Sequence, residues 1–144
     1  MSNYYQKGAL FPKPGNSKKK KKENGYKEKA NRHCYYTGLP YAERHELFGG
    51  TGNRQNSIDH GLQVDLHPAI HALFHGQVDE KQLKELKVPG MFPDPLEWAK
   101  CEIRMLRRDA QRKWEVKMCI EKGINILQAR AAWMQLIGVN CLDD

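Results

Sequence analysis

The stretch of residues 61–76 constrains the fold of this chain most, because two hydrophobic patterns meet there without a linker. In GLQVDL, residues 61–66, every second residue is apolar, which predicts a half-buried strand. Pro68 then suits the first turn of a helix and Gly76 suits its C-terminal end, so residues 67–75 are predicted to form a short helix.

A partner for this strand is predicted just upstream. Residues 44–48 favour a short strand, and the glycine-rich residues 49–53 favour the loop that follows it. The order strand, loop, strand and helix predicts a small α+β core.

The C-terminal half is predicted to be helical. A charged helical stretch at residues 79–87 and a loop at 89–95 precede a long helix, which Asp94 caps and Gly123 ends. Asn125 with Gln128 resembles a capping box for a last helix through about residue 137. One face of the long helix is apolar at helical spacing through Leu96, Ala99, Ile103, Leu106, Ala110 and Trp114.

Positive charge is concentrated at the N-terminus. Residues 1–32 hold ten Lys and Arg against two Glu, whereas residues 33–144 hold fourteen Lys and Arg against fifteen Asp and Glu. The first segment has no apolar period, so we expect a disordered, Lys-rich arm that seeks an anionic partner such as nucleic acid.

Three classes of protein are disfavoured. The sequence has no apolar run long enough for a spanning helix, and its first residues lack the apolar core of a signal peptide. The four cysteines form no C-x-x-C pair, so we do not expect a disulfide framework. We expect the chain to reside in a reducing cytoplasm. We therefore expect no membrane partner.

Histidines mark the candidate site, since all six lie within residues 33–75. His71 and His75 are four apart on the predicted helix, so they share a face and can both reach one metal ion. His67 lies a further turn back, and His45 lies on the first predicted strand. This pattern predicts one divalent ion held between helix and strand.

These residues carry a resemblance to a known family. The stretch AERHELFGGTGNRQNSIDHGLQVDLHPAIHALFHG resembles the core of HNH (His-Me finger, ββα-metal) endonucleases, especially small phage and prophage proteins. The likeness covers residues 33–76 well and 108–142 loosely, and phage recombination-enhancement nucleases that act with RecA are a more distant likeness. It implies a single HNH-like domain over 33–144, with a ββα-metal core at 33–76, an insertion or linker at 77–93 and C-terminal helices at 94–142.

The resemblance also implies a ligand set and leaves the general base open. His71 and His75 match the helical metal ligands, and His45 matches the first member of the strand pair, also a metal ligand. Glu46 stands where many relatives have the general-base histidine. Either Glu46 is the base, or His45 is the base and a neighbour such as Glu43 or His67 completes the metal shell.

The middle Asn of the family motif is absent, because Gly61 and Leu62 stand in its place. Asn53, Asn56 or His60 are the candidates for a supporting role there, although the two asparagines are equally typical of turns.

Many relatives carry a structural zinc on two C-x-x-C pairs. Here Cys34 and His67 remain of those pairs, so we expect this zinc to be lost and Cys34 to be a buried free thiol.

The function that the resemblance implies is hydrolysis of DNA phosphodiester bonds with one Mg²⁺, Mn²⁺ or Zn²⁺ ion, in the cytoplasm of a bacterial host. Candidate DNA contacts are Lys18, Lys19, Lys20, Lys21, Lys22, Arg44 and Arg54. One alternative is a catalytically degraded HNH-fold module that binds DNA or a recombination protein. Another is a zinc-stabilised adaptor that uses Cys34, His67, His71 and His75.

Overall fold

The computed structural model describes residues 26–142 and is α+β, as predicted: a two-stranded antiparallel sheet and five α-helices follow a short 3₁₀ helix. In chain order the elements are the 3₁₀ helix Tyr26–Asn31, β1 Glu43–Glu46, α1 Asn53–Asp59, β2 Gln63–Leu66, α2 Pro68–Phe74, α3 Glu80–Leu86, α4 Pro95–Lys122 and α5 Ile126–Leu136. Within this described range, no helix is long and apolar enough to cross a membrane.

The sheet sets which side chains face the interior. β1 pairs with β2 so that Glu43 lies opposite Leu66 and His45 lies opposite Val64. Side chains alternate along a strand, so Glu43 and His45 share the face that packs inward, where Val64 and Leu66 are buried. Both strands are shorter than predicted, since their pairing ends at Glu46 and begins at residue 63.

Helix α1 is a correction to the sequence analysis, which placed only loop and turn residues between the strands. Its sequence, NRQNSID, has no apolar period, and only Ser57 is buried. Tertiary hydrogen bonds hold this helix instead: the Ser57 hydroxyl donates to the carbonyl of Phe48 at 2.8 Å and accepts from the Phe48 amide at 3.1 Å.

Helix α2 follows β2 directly, which confirms the helix predicted over residues 67–75. The ring Nδ1 of His67 accepts a hydrogen bond from the Ala69 amide at 3.0 Å, and Pro68 occupies the first turn. Ile70 and Leu73 are fully buried against the core. His71 and His75 therefore lie on the more exposed face of this short helix.

Helices α4 and α5 form a C-terminal hairpin, and their predicted caps are confirmed. Asp94 caps α4, Gly123 ends it in a left-handed conformation with φ of 65°, and Asn125 with Gln128 forms the capping box of α5. Leu96 was predicted to belong to the apolar face of α4, but it is 42% exposed, so that part of the prediction is wrong. The buried stripe of α4 begins instead at Trp98, whose ring contacts Tyr36 and Phe74.

Trp133 of α5 is fully buried and joins the hairpin to the rest of the core. Its ring makes edge contacts with Phe48 and Trp114 at centroid distances of 5.3 and 5.5 Å, and its Nε1 donates to the Val139 carbonyl. The chain then turns back on α4, where the Cys141 amide donates to the Gln111 side chain at 2.6 Å.

The predicted arm at residues 1–32 extends too far by at least one short element. Residues 26–31 form the 3₁₀ helix, and the ammonium of Lys29 lies 3.3 Å from the Glu43 carboxylate. The Ala42 amide also donates to the carbonyl of Arg32. These contacts join residues that are distant in the chain, and they produce no local apolar pattern. They could therefore not be predicted from the sequence. The Lys block at 18–22 lies outside the described residues.

Candidate metal centre

Three histidines converge where β1 meets the end of α2. His45 comes from the inward face of β1, His71 from the last turn of α2, and His75 from the residue that ends this helix. One ligand atom from each lies within 4.8 Å of the others, and the three could hold a metal ion. We call His45, His71 and His75 the histidine trio.

The spacing within the trio fits a bound ion. The Nε2 atoms of His71 and His75 are 3.3 Å apart. An ion that binds two imidazole nitrogens at 2.0–2.1 Å with a tetrahedral angle holds them about 3.3 Å apart. The ring of His45 completes the group, with its centroid 5.3 Å from each of the other two rings.

The carboxylate of Glu43 orients His71. Nδ1 of His71 lies 2.9 Å from Oε1 of Glu43, which only accepts hydrogen bonds when ionised. The Nδ1 proton of His71 is therefore the donor, and its Nε2 lone pair faces His75. The hydrogen bond from His71 is the main cause of the lowered pKa of Glu43, and Lys29 contributes to it. Carboxylate partners of this kind orient metal-bound histidines and raise their basicity.

His45 is kept neutral by its surroundings. It is 7% exposed, and its ring packs against Phe74 at a centroid distance of 5.5 Å. Burial, followed by the charges of His71, His75 and Arg107, lowers the pKa of His45 to about 4. A neutral imidazole is the form that binds metals. His75 is exposed, so the trio opens to solvent on one side, where a substrate can approach.

Glu46 lies apart from the trio. It follows His45 on β1, so it projects from the opposite face of the sheet. There its carboxylate accepts hydrogen bonds from Arg54 at 3.2 Å and from Gln63 at 3.4 Å. The carboxylate on the trio's side of β1 is Glu43.

The two arginines predicted to contact DNA lie with Glu46 and not with the trio. Arg54 is paired with Glu46, as described above, and Arg44 is paired with Asp65 across the sheet at 3.2 Å.

The predicted supporting residues on and after α1 hold the fold together. The amides of Asn53 and Asn56 donate to the carbonyls of Ile137 and Leu136, each at 2.9 Å, and so tie α1 to the end of α5. His60 is exposed, and the centroid of its ring lies 6.2 Å from that of Trp114. The structure does not bring these three residues to the trio.

His67 and Cys34 do not belong to the trio. His67 uses Nδ1 to cap α2, and burial lowers its pKa. Cys34 is 3% exposed and is a free thiol whose sulfur accepts from the Tyr36 amide. Among the described residues, the group that could hold a metal includes neither of them.

Arg107 is a site residue that the sequence analysis missed. It lies on α4, and its Nε donates to the carbonyl of Leu47, two residues beyond His45, at 2.7 Å. Its guanidinium also lies 5.3 Å above the Phe48 ring. The available signal was the helical spacing of Lys100, Arg104 and Arg107, which places three cations on one face of α4.

The chain matches no protein-family model, no curated protein and no solved structure at a significant level.

Proposed function

We propose that this chain is a metal-dependent endonuclease of the HNH type, which hydrolyses phosphodiester bonds in DNA. The observation that supports this most is the histidine trio at the junction of an antiparallel strand pair and the helix that follows it. The order strand, strand and helix is what the resemblance to the ββα-metal core implies, apart from the inserted helix α1. The same resemblance is the basis for proposing that the chain acts on DNA, that it does so in a bacterial cytoplasm and that it is a phage or prophage protein.

The donor set favours one kind of ion. Three imidazole nitrogens suit Zn²⁺ and similar transition metals, whereas Mg²⁺ prefers oxygen ligands and retains several waters. We therefore propose Zn²⁺ as the tightest of the three candidate ions and Mg²⁺ as the weakest. A set of three protein ligands also leaves positions open for water and for a phosphate oxygen.

The chain's own residues hold and orient the ligands. Glu43 fixes His71 in the tautomer that leaves Nε2 free, and burial keeps His45 neutral at pH 7. A divalent ion held by His45, His71 and His75 would supply positive charge that favours hydrolysis of a phosphodiester by water. With Glu46 on the opposite face of β1, no acid–base role is assigned to that residue.

His45 has two possible roles that differ in one measurable way. A pKa of about 4 makes His45 a weak general base at neutral pH but leaves it well suited as a ligand, so we propose the ligand role. If His45 is a ligand, His45→Ala weakens metal affinity and activity together. If it is the base, the same substitution leaves metal affinity unchanged and lowers only kcat.

The nuclease proposal is tested with supercoiled plasmid. Wild type, His71→Ala and His33→Ala are each incubated with Zn²⁺, Mn²⁺ or Mg²⁺, and metal content is measured on the same samples. His33 is an exposed histidine outside the trio, so it provides a matched control. We expect nicking that requires metal, that His71→Ala abolishes together with metal binding, and that His33→Ala retains.

The second candidate function is a degraded HNH module that binds DNA without cutting it. The observation that favours it is that Asn53 and Asn56 are committed to the α5 carbonyls. Absence of cleavage with every metal, combined with retained DNA binding, would favour this module over the nuclease.

A further inference from the structure

A basic groove runs along α4. It is a cavity of about 480 Å³ between α4 and the C-terminal turn, and its lining consists of Lys100, Ile103, Arg104, Arg107, Asn140 and Cys141. Three of these six residues are cations, and none of the described lining residues is a carboxylate. We call this feature the α4 groove.

The cations of the α4 groove are available to a ligand. Within residues 26–142, none of Lys100, Arg104 and Arg107 forms an ion pair, whereas Arg44, Arg54 and Lys113 each have a carboxylate partner. Lys100 and Arg104 are exposed. Arg107 donates to the Leu47 carbonyl through Nε, which fixes the guanidinium while its other N–H groups remain to be used.

The thiol in the α4 groove does not offset this charge. Burial raises the pKa of Cys141, against the opposing effect of Arg107, so the residue stays a neutral thiol at pH 7. Among the described residues that line it, the α4 groove therefore carries three cations and no anion.

The inner end of the α4 groove is tied to the residues that follow β1. The Nε of Arg107 donates to the carbonyl of Leu47, which lies two residues beyond His45, at 2.7 Å. From Arg107 to Lys100 the helix extends about 10 Å, at 1.5 Å per residue. Phosphates of one DNA strand rise about 3.4 Å each along the duplex axis, so this length matches about three phosphate steps. Cations spread over that distance suit a polyanion better than a single phosphate ion.

We propose that the α4 groove binds the phosphodiester backbone next to the bond that is cut, with Arg107 nearest the metal centre and Arg104 and Lys100 on successive phosphates. This inference rests on the proposed nuclease function for the position of the cut. The binding itself is a separate claim and can be tested without cleavage.

The test uses Cys141 as a reporter inside the α4 groove. Full-length protein is alkylated with N-ethylmaleimide, with and without a short DNA duplex, and the modification of each cysteine is followed by mass spectrometry. Cys119 is also partly exposed but lies twelve residues beyond Arg107 on α4, so it serves as the internal control. We expect DNA to slow alkylation of Cys141 and to leave Cys119 unchanged.

A pair of matched variants isolates the groove from the N-terminal arm. Lys100→Ala with Arg104→Ala removes two exposed charges from the groove, and Lys113→Ala with Lys117→Ala removes two exposed charges elsewhere on α4. The groove variant should lose the protection of Cys141, weaken DNA binding and make the slope of log K against log salt shallower by about 1.8. The control variant should keep the protection. The same assay with an RNA duplex separates DNA from RNA as the source of the backbone.

Each outcome has a defined meaning. If Cys141 and Cys119 respond alike, or if protection survives in the groove variant, the groove does not bind the backbone. If wild type protects Cys141 but never nicks plasmid, the groove stands as a DNA-binding site and the nuclease proposal fails. If wild type nicks plasmid and the groove variant does so with unchanged KM, the nuclease stands and the groove proposal fails.

Discussion

Glu43 offers the sharpest test of how the metal centre is built. It is the carboxylate that accepts a hydrogen bond from His71 at 2.9 Å, and it lies on the same face of β1 as His45. Replacing it removes a group that orients a ligand without removing a ligand. Metal affinity should therefore fall without being lost.

The size of the effect follows from the exposure and charge of this carboxylate. Removing such a partner typically weakens metal binding 10–100-fold, and the Glu43 side chain is 35% exposed, which favours the lower limit. Glu43→Ala should therefore weaken binding about tenfold, or about 1.4 kcal/mol. Glu43→Gln keeps an acceptor but loses the charge, and charge-assisted hydrogen bonds are roughly twice as strong as neutral ones. It should weaken binding about threefold.

The assay is a competition titration of Zn²⁺ against a chelator, with Co²⁺ absorption as a report on coordination. Glu46→Ala is the matched control, since Glu46 lies on the same strand but projects from its opposite face. We expect its metal affinity to stay within about twofold of wild type.

Two results would refute this reasoning. If Glu46→Ala weakened Zn²⁺ binding as much as Glu43→Ala does, the two faces of β1 would not be distinct. If both Glu43 variants bound Zn²⁺ like wild type, the hydrogen bond to His71 would have no part in metal binding.

Three further predictions concern stability and the arm. Lowering the pH should destabilise the metal-free protein, because His45 takes up a proton near its ordinary pKa of 6.5 when unfolded but only at about 4 when folded. Urea unfolding should show about 3 kcal/mol lost from this group between pH 7 and 4, and His45→Phe should flatten that dependence. Asn53→Ala and Asn56→Ala should each lower the free energy of unfolding by about 1 kcal/mol with metal affinity unchanged; the opposite pattern would assign them to the site. Deleting residues 1–25 should flatten the dependence of DNA binding on salt by about 4.5 in log–log slope if the five lysines at 18–22 each engage a phosphate. An unchanged slope would exclude the arm from DNA binding.

Elements with local signals were predictable from the sequence, and α4 and α5 show why. Their starts and ends are set by Asp94, Gly123 and the Asn125 capping box, which act within one turn of the chain. Helix α1 has no such signal, because distant partners hold it, including the carbonyls of α5. Propensity and period carry no information about those contacts.

The candidate metal centre was predicted only in part, because some of its residues are related by local spacing and others only by tertiary contacts. Helical spacing brought His71 and His75 together, and both lie in the trio. Alternation along β1 would have placed Glu43 beside His45, but the likeness to the HNH pattern drew attention to Glu46. A one-residue step along a strand exchanges its two faces, so motif position alone misplaces the carboxylate. Arg107 is 60 residues from Leu47 in the chain, and only tertiary packing brings the two together.

The location of the trio within the chain has a consequence for how the protein folds. His45 and His75 are 30 residues apart, whereas Arg107 reaches the same strand from 60 residues away. Loop-closure entropy grows with chain separation, so the contacts among the histidines are the less costly ones to form early. We therefore expect the three histidines of the strand–helix unit to come together before α4 docks. An ion present during synthesis would then act as a folding nucleus, and the α4 groove would be completed only once the C-terminal hairpin had joined.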